Sequence, residues 1–192
     1  RPTPPTRFYH TRIPITPTHP HTRSCPRSIS RAPTPPPQEY TAALEQAKLG
    51  LRLREAAHDG EAAVAVAAHL LQVAECMRRA GVGTAQQWIA TFEKAKGLWD
   101  GAYGKGQHVL TARCLVGIGW AYTVTKRNGG LEDYPRALEY GREALAVVAS
   151  AGKGGGVEEE GALALIGDAH YELKQWDEAL EHYQRRVRVL LE

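Results

Sequence analysis

The chain has 192 residues, 43% of them hydrophobic, and a formal net charge of +3. Six arginines and no acidic residue lie in residues 1–38, which leaves a net charge of −3 for the rest of the chain. A mildly acidic body without a basic stripe argues against nucleic-acid binding, and no apolar run reaches the roughly 18 residues that a membrane-spanning helix needs.

Residues 1–38 hold eleven of the twelve prolines. Proline donates no backbone hydrogen bond and restricts the residue before it, so neither a helix nor a central strand fits here. We interpret the segment as a disordered or polyproline-like tail. Its Arg, Ser and Thr content without acids also fits an organelle-targeting segment, and mistranslated non-coding sequence is a third interpretation. His19 and His21 could contact a metal, but two ligands do not make a closed site.

Glycine-marked turns divide residues 39–192 into long segments. Glycine adopts the left-handed conformation that ends helices, and no sustained period-two alternation indicates strands. We therefore predict an all-α domain, with one of its turns at "GAYGKG" (101–106). The predicted helices cover residues 39–57, 61–80, 84–99, 107–126, 132–150, 157–173 and 175–192.

The first, third, fifth and seventh predicted helices share a pattern, in "EYTAALEQA", "QWIATFEKA", "DYPRALEYG" and "QWDEALEHY". An aromatic residue is followed after three positions by a small residue, then by a large apolar residue and a glutamate. The near-constant spacing indicates a repeat array. We expect the aromatic to fill the gap between helical hairpins, the small residue to allow a close crossing and the apolar residue to face the interior. The glutamate is expected to face solvent or to pair locally. The aromatic positions are Tyr40, Trp88, Tyr134 and Trp176; the large apolar positions are Leu44, Phe92, Leu138 and Leu180.

Residues 164–187, "ALIGDAHYELKQWDEALEHYQRRV", resemble the tetratricopeptide repeat. The match rests on Ile166-Gly167, on Ala179 twelve positions after that glycine, and on Tyr183 four positions further on. Residues 117–145 match less closely because the turn is about six residues longer. Residues 61–99 resemble a degenerate copy with Gln72 where glycine is usual, and the first helix resembles half a repeat.

The resemblance implies a right-handed superhelical α-solenoid of antiparallel hairpins, about three and a half repeats long. It also implies an interaction scaffold that binds a partner peptide or helix in a concave groove, lined by the first helix of each pair. The expected partner has apolar anchors and a basic end. Carried over from the family, the candidate groove residues are His69, Val73, Met77, Arg113, Val116, Trp120, Val124, Asp168, Tyr171 and Glu172.

Other interpretations of the groove and of the chain stay open. A register shifted by one position would make Val73, Met77, Val116 and Trp120 ordinary core. The repeats could instead form a regulatory or targeting arm that packs against another part of a larger protein, which could be an enzyme, or belong to an organelle assembly factor. The arginine at position 1 and the helical pattern up to residue 192 suggest a fragment.

We predict no catalytic activity for these residues, because no nucleophile–base arrangement, HExxH pair or phosphate-binding loop occurs. No cofactor, metal or small-molecule substrate is expected. The cysteines Cys25, Cys76 and Cys114 are far apart and odd in number, which fits a reducing compartment, and we expect Cys76 and Cys114 to be buried. The predicted location is the cytoplasm, or an organelle if the tail is a transit peptide.

Overall fold

A computed structural model describes residues 37–56, 62–124, 131–152 and 156–191. Most of the predicted tail lies outside these ranges, together with His19, His21 and Cys25. The described residues form helices and no strand, which confirms the all-α prediction. The helices are α1 (Pro37–Ala56), α2 (Ala62–Ala80), α3 (Ala85–Tyr103), α4 (Val109–Thr123), α5 (Tyr134–Ser150), α6 (Val157–Glu172) and α7 (Trp176–Leu191).

The end of α3 differs from the sequence prediction. The helix continues to Tyr103, through Gly101, where a turn is predicted. It ends at Gly104, whose φ of +93° is in the region that favours glycine. The Asp100 carboxylate accepts a hydrogen bond from the Gly106 backbone nitrogen at 3.0 Å, so this side chain organises the turn that follows the helix.

Each helix packs against the next one along the chain. In addition, α4 contacts α6 and touches α2, whereas within the described ranges α3 makes no contact with α5. The even-numbered helices therefore adjoin one another, and the odd-numbered helices stand apart. This order of packing is consistent with an α-solenoid.

Of the four small residues in the repeated pattern, Ala137 and Ala179 are buried and Ala43 and Thr91 are half-buried. Two glycines outside the pattern also lie at close contacts. Gly117 lies directly against the Phe92 ring, and Gly119 against Leu165, with no room for a Cβ at either glycine. The interior includes the fully buried side chains of Phe92, Leu115, Ile118, Leu163, Leu165 and Ile166.

The prediction that every repeated apolar position faces the interior is wrong for α7. Leu44, Phe92 and Leu138 are buried, but Leu180 is 55% exposed, and Trp176 is exposed to the same extent. The physical reason is that α7 packs only against α6 among the described helices. The side of α7 that corresponds to the buried side of α3 and α5 therefore has no neighbouring helix.

The four repeated glutamates are exposed, as predicted. Glu45 forms an ion pair with Lys48 one turn away at 2.9 Å. Within the described ranges, none of the helices is long and apolar enough to cross a membrane.

Candidate interaction surface

The α4 candidates are divided between core and surface. Val116 is 9% exposed and packs in a buried cluster with residues of α5 and α6. Trp120 is half-buried and packs against the cores on both sides of it. Arg113 is half-buried and its Nε donates to Glu75 of α2 at 2.7 Å, while Val124 follows the helix end and is half-buried.

The α2 candidates face α1. Val73 is buried in a small cluster with Leu44 and Ala47 of α1, and Met77 packs on that cluster. The His69 ring lies against Gly50, where a Cβ would come within 2.6 Å of it. Ala68 and Gln72, one residue before His69 and Val73, are exposed.

The α6 candidates lie toward the end of that helix, and two of them are exposed. Tyr171 is 44% exposed and meets Trp176 edge to face, with ring centroids 5.0 Å apart. Glu172 is exposed. Asp168 is half-buried and accepts a hydrogen bond from the Tyr183 hydroxyl at 2.7 Å.

These placements define one surface on the even-numbered helices, hereafter the A-helix surface. Its residues are exposed or half-buried side chains of α2, α4 and α6. Trp120 of α4 is half-buried, an ion pair joins α2 to α4, and acidic and aromatic side chains lie toward the end of α6. The surface comprises Gln72, Glu75, Arg113, Trp120, Asp168, Tyr171 and Glu172.

Two thiols near this surface are held in the neutral form. Burial, followed by the charges of Glu75 and Asp100, raises the pKa of the Cys114 thiol to about 12. Burial and the neighbouring Glu75 also raise the pKa of Cys76. Both cysteines are buried, as predicted. A thiolate nucleophile is therefore suppressed at both positions.

A second concave feature lies on the opposite side of α4, where sequence reasoning placed no candidate. Here α3 and α5 stand apart, and two adjoining depressions of about 400 and 310 Å³ share Glu93. We call this feature the α3/α5 cleft. No local sequence pattern predicts this cleft, because the separation of α3 from α5 depends on tertiary packing.

Within the described ranges, no group of three or more His, Cys, Asp or Glu side chains is arranged to hold a metal ion. Comparisons of the chain with family models, curated proteins and solved structures give no match.

Proposed function

We propose that residues 39–192 form a tetratricopeptide-like scaffold that binds a peptide or helix of a partner protein on the A-helix surface. In this proposal the hairpins curl into a right-handed superhelix, and the A-helix surface is its concave side. The unpaired, buried Cys76 and Cys114 support a reducing compartment such as the cytoplasm.

The observation that carries the proposal is the position of Trp120. Half-buried tryptophans that pack on a core and keep part of the ring accessible are typical anchors of protein interfaces. The Arg113–Glu75 ion pair lies beside it and is partly exposed, as expected of an interface rim.

The charges of the surface favour a partner with one basic end. Glu172 is exposed and Asp168 is half-buried, and both lie toward the end of α6. An incoming Lys or Arg would meet these carboxylates while an apolar side chain contacts Trp120. A partner with this pattern matches the surface better than a uniformly acidic one.

The test uses the full chain as bait and identifies retained proteins by mass spectrometry. Trp120→Ala should lose a partner that the wild type retains, whereas Leu180→Ala, a truncation of an exposed apolar side chain on α7, should keep it. Because Trp120 also packs on the core, its truncation could unfold the chain, so circular dichroism accompanies each variant. Gln72→Arg adds a second test at an exposed position, where unfolding is not expected. Retention of every partner by both folded variants would refute the proposal.

A further inference from the structure

The α3/α5 cleft lies away from the A-helix surface. Its floor includes Leu115, Ile118 and Tyr122 of α4. At 3.6 residues per turn these three project from α4 roughly opposite to Trp120. The cleft is therefore separate from the A-helix surface, and we propose that it binds a segment of a partner protein through a basic side chain, arginine or lysine.

The cleft has two parts. The depression of about 400 Å³ is lined by apolar groups that include Ile89 and Leu131, and the one of about 310 Å³ lies over Leu115 and Ile118. Each depression has room for a large side chain of a partner segment, with an apolar residue in the first depression and a basic residue in the second.

The two basic side chains that line the cleft, Lys96 and Arg136, already interact with other residues of the chain. Lys96 pairs with Asp100 at 2.7 Å. The Arg136 guanidinium lies over the Tyr122 ring, 5.4 Å from its centroid, and donates to the Tyr122 hydroxyl at 3.3 Å. Neither cation is therefore directed at the remaining carboxylates of the cleft.

Two of those carboxylates have no such partner. Glu93 of α3 and Glu143 of α5 are exposed, both line the smaller depression, and neither forms an ion pair with another described residue. A purely apolar occupant would remove water from these charges without replacing it, which is unfavourable. A cation bound between them would compensate both charges at once.

The smaller depression also offers contacts to the rest of a basic side chain. The methylene stem of Lys or Arg can lie on the apolar floor while its charged end reaches the carboxylates. The Tyr140 ring forms one wall and stacks on Tyr122 with centroids 5.5 Å apart. Arg136 over Tyr122 shows the same cation–aromatic arrangement within the cleft. The depression therefore matches the stem, the charge and the planar face of arginine together.

The test is an NMR titration of the full-length, ¹⁵N-labelled chain with the peptide acetyl-Gly-Leu-Gly-Arg-Gly-amide. The matched control peptide carries citrulline, which keeps the shape of arginine without its charge. We expect arginine-dependent shifts confined to α3, α5 and the floor residues of α4. The citrulline peptide should bind at least about tenfold more weakly, the size of one lost charge-assisted contact.

Protein variants distinguish binding in the cleft from nonspecific electrostatic attraction of the peptide. The double variant Glu93→Gln with Glu143→Gln should weaken binding of the arginine peptide at least about tenfold. Glu139→Gln, an exposed change on α5 that does not line the cleft, should leave it unchanged. Equal binding of the two peptides, equal binding by the double variant, shifts outside the cleft, or no arginine-dependent shifts would each overturn the proposal.

Discussion

The ring of Tyr183 in α7 lies directly on Gly167 in α6. A Cβ placed on Gly167 would come within 2.6 Å of the Tyr183 ring. The Tyr183 hydroxyl donates to the Asp168 carboxylate at 2.7 Å, so the ring is held at both its edge and its face. This contact fixes how closely α6 and α7 cross, and it depends on the absence of a side chain at position 167.

Replacing Gly167 with alanine should destabilise the chain by about 1–3 kcal/mol, because the ring or the helix must shift to admit a methyl group. The matched control is Gly101→Ala in α3, where a Cβ meets nothing within 4 Å. That change should stabilise by about 0.5–1 kcal/mol through helix propensity alone. Urea denaturation of both variants measures the difference. Similar stabilities for the two would show that the Gly167–Tyr183 contact is not tight.

Two equivalent leucines of the repeat should differ widely in their contribution to stability. Leu138 of α5 is 6% exposed and Leu180 of α7 is 55% exposed. Leu138→Ala should cost about 2–5 kcal/mol, as is usual for a buried leucine. Leu180→Ala should stay within about 0.5 kcal/mol of the wild type, in the range of surface substitutions. A large loss at Leu180, measured by the same denaturation, would show that something covers this side of α7.

The sequence predicts the helices and their close crossings because both follow from local pattern. Gly167 and Tyr183 are sixteen residues apart and both belong to the pattern that resembles a tetratricopeptide repeat, but their direct contact is visible only in the structure. In α2 the carried-over register places Val73 on a groove, whereas the side chain is buried against α1. Gln72 supplies no glycine there to mark the crossing, so the pattern does not fix the rotation of that helix.

The exposed side of α7 and the α3/α5 cleft depend on tertiary packing and not on local sequence pattern. Leu180 has the same sequence context as Leu138, and only the neighbouring helices decide which of the two is covered. Glu93 and Glu143 likewise read as ordinary exposed glutamates on two separate helices. Their juxtaposition depends on the distance between α3 and α5, which is set by packing onto α4.

The Cys114 thiol should resist alkylation in the native state. Its pKa of about 12, against 9.0 for a free thiol, lowers the thiolate population about a thousandfold, and the side chain is fully buried. The experiment uses iodoacetamide on the full chain with Cys25→Ser and Cys76→Ala, so that Cys114 is the remaining cysteine. Labelling should be slow in buffer and fast in urea. Fast native labelling would show that α4 opens readily toward solvent.

The stacked imidazoles of His170 and His182 join α6 to α7, with ring centroids 5.5 Å apart and the planes nearly parallel. His170 is buried, and its Nδ1 is 2.7 Å from the Gln175 side-chain oxygen. The Nδ1 atom of His182 is buried and has no hydrogen-bond partner within the described residues. Burial, followed by the proximity of His170, lowers the pKa of His182 below 6.5, although Glu181 acts in the opposite direction.

Folding stability should therefore fall on mild acidification. Between the lowered pKa of folded His182 and the value of about 6.5 in the unfolded chain, the unfolded state binds more protons, so the free energy of unfolding decreases as the pH falls. Denaturation at about pH 7.5 and about pH 5.5 brackets this window and stays above the range in which most carboxylates titrate. His182→Gln, which cannot titrate, should reduce the difference between the two conditions. If His182→Gln shows the same loss of stability between the two pH values as the wild type, another group causes the pH dependence. His182 would then bind its proton equally in the folded and unfolded states.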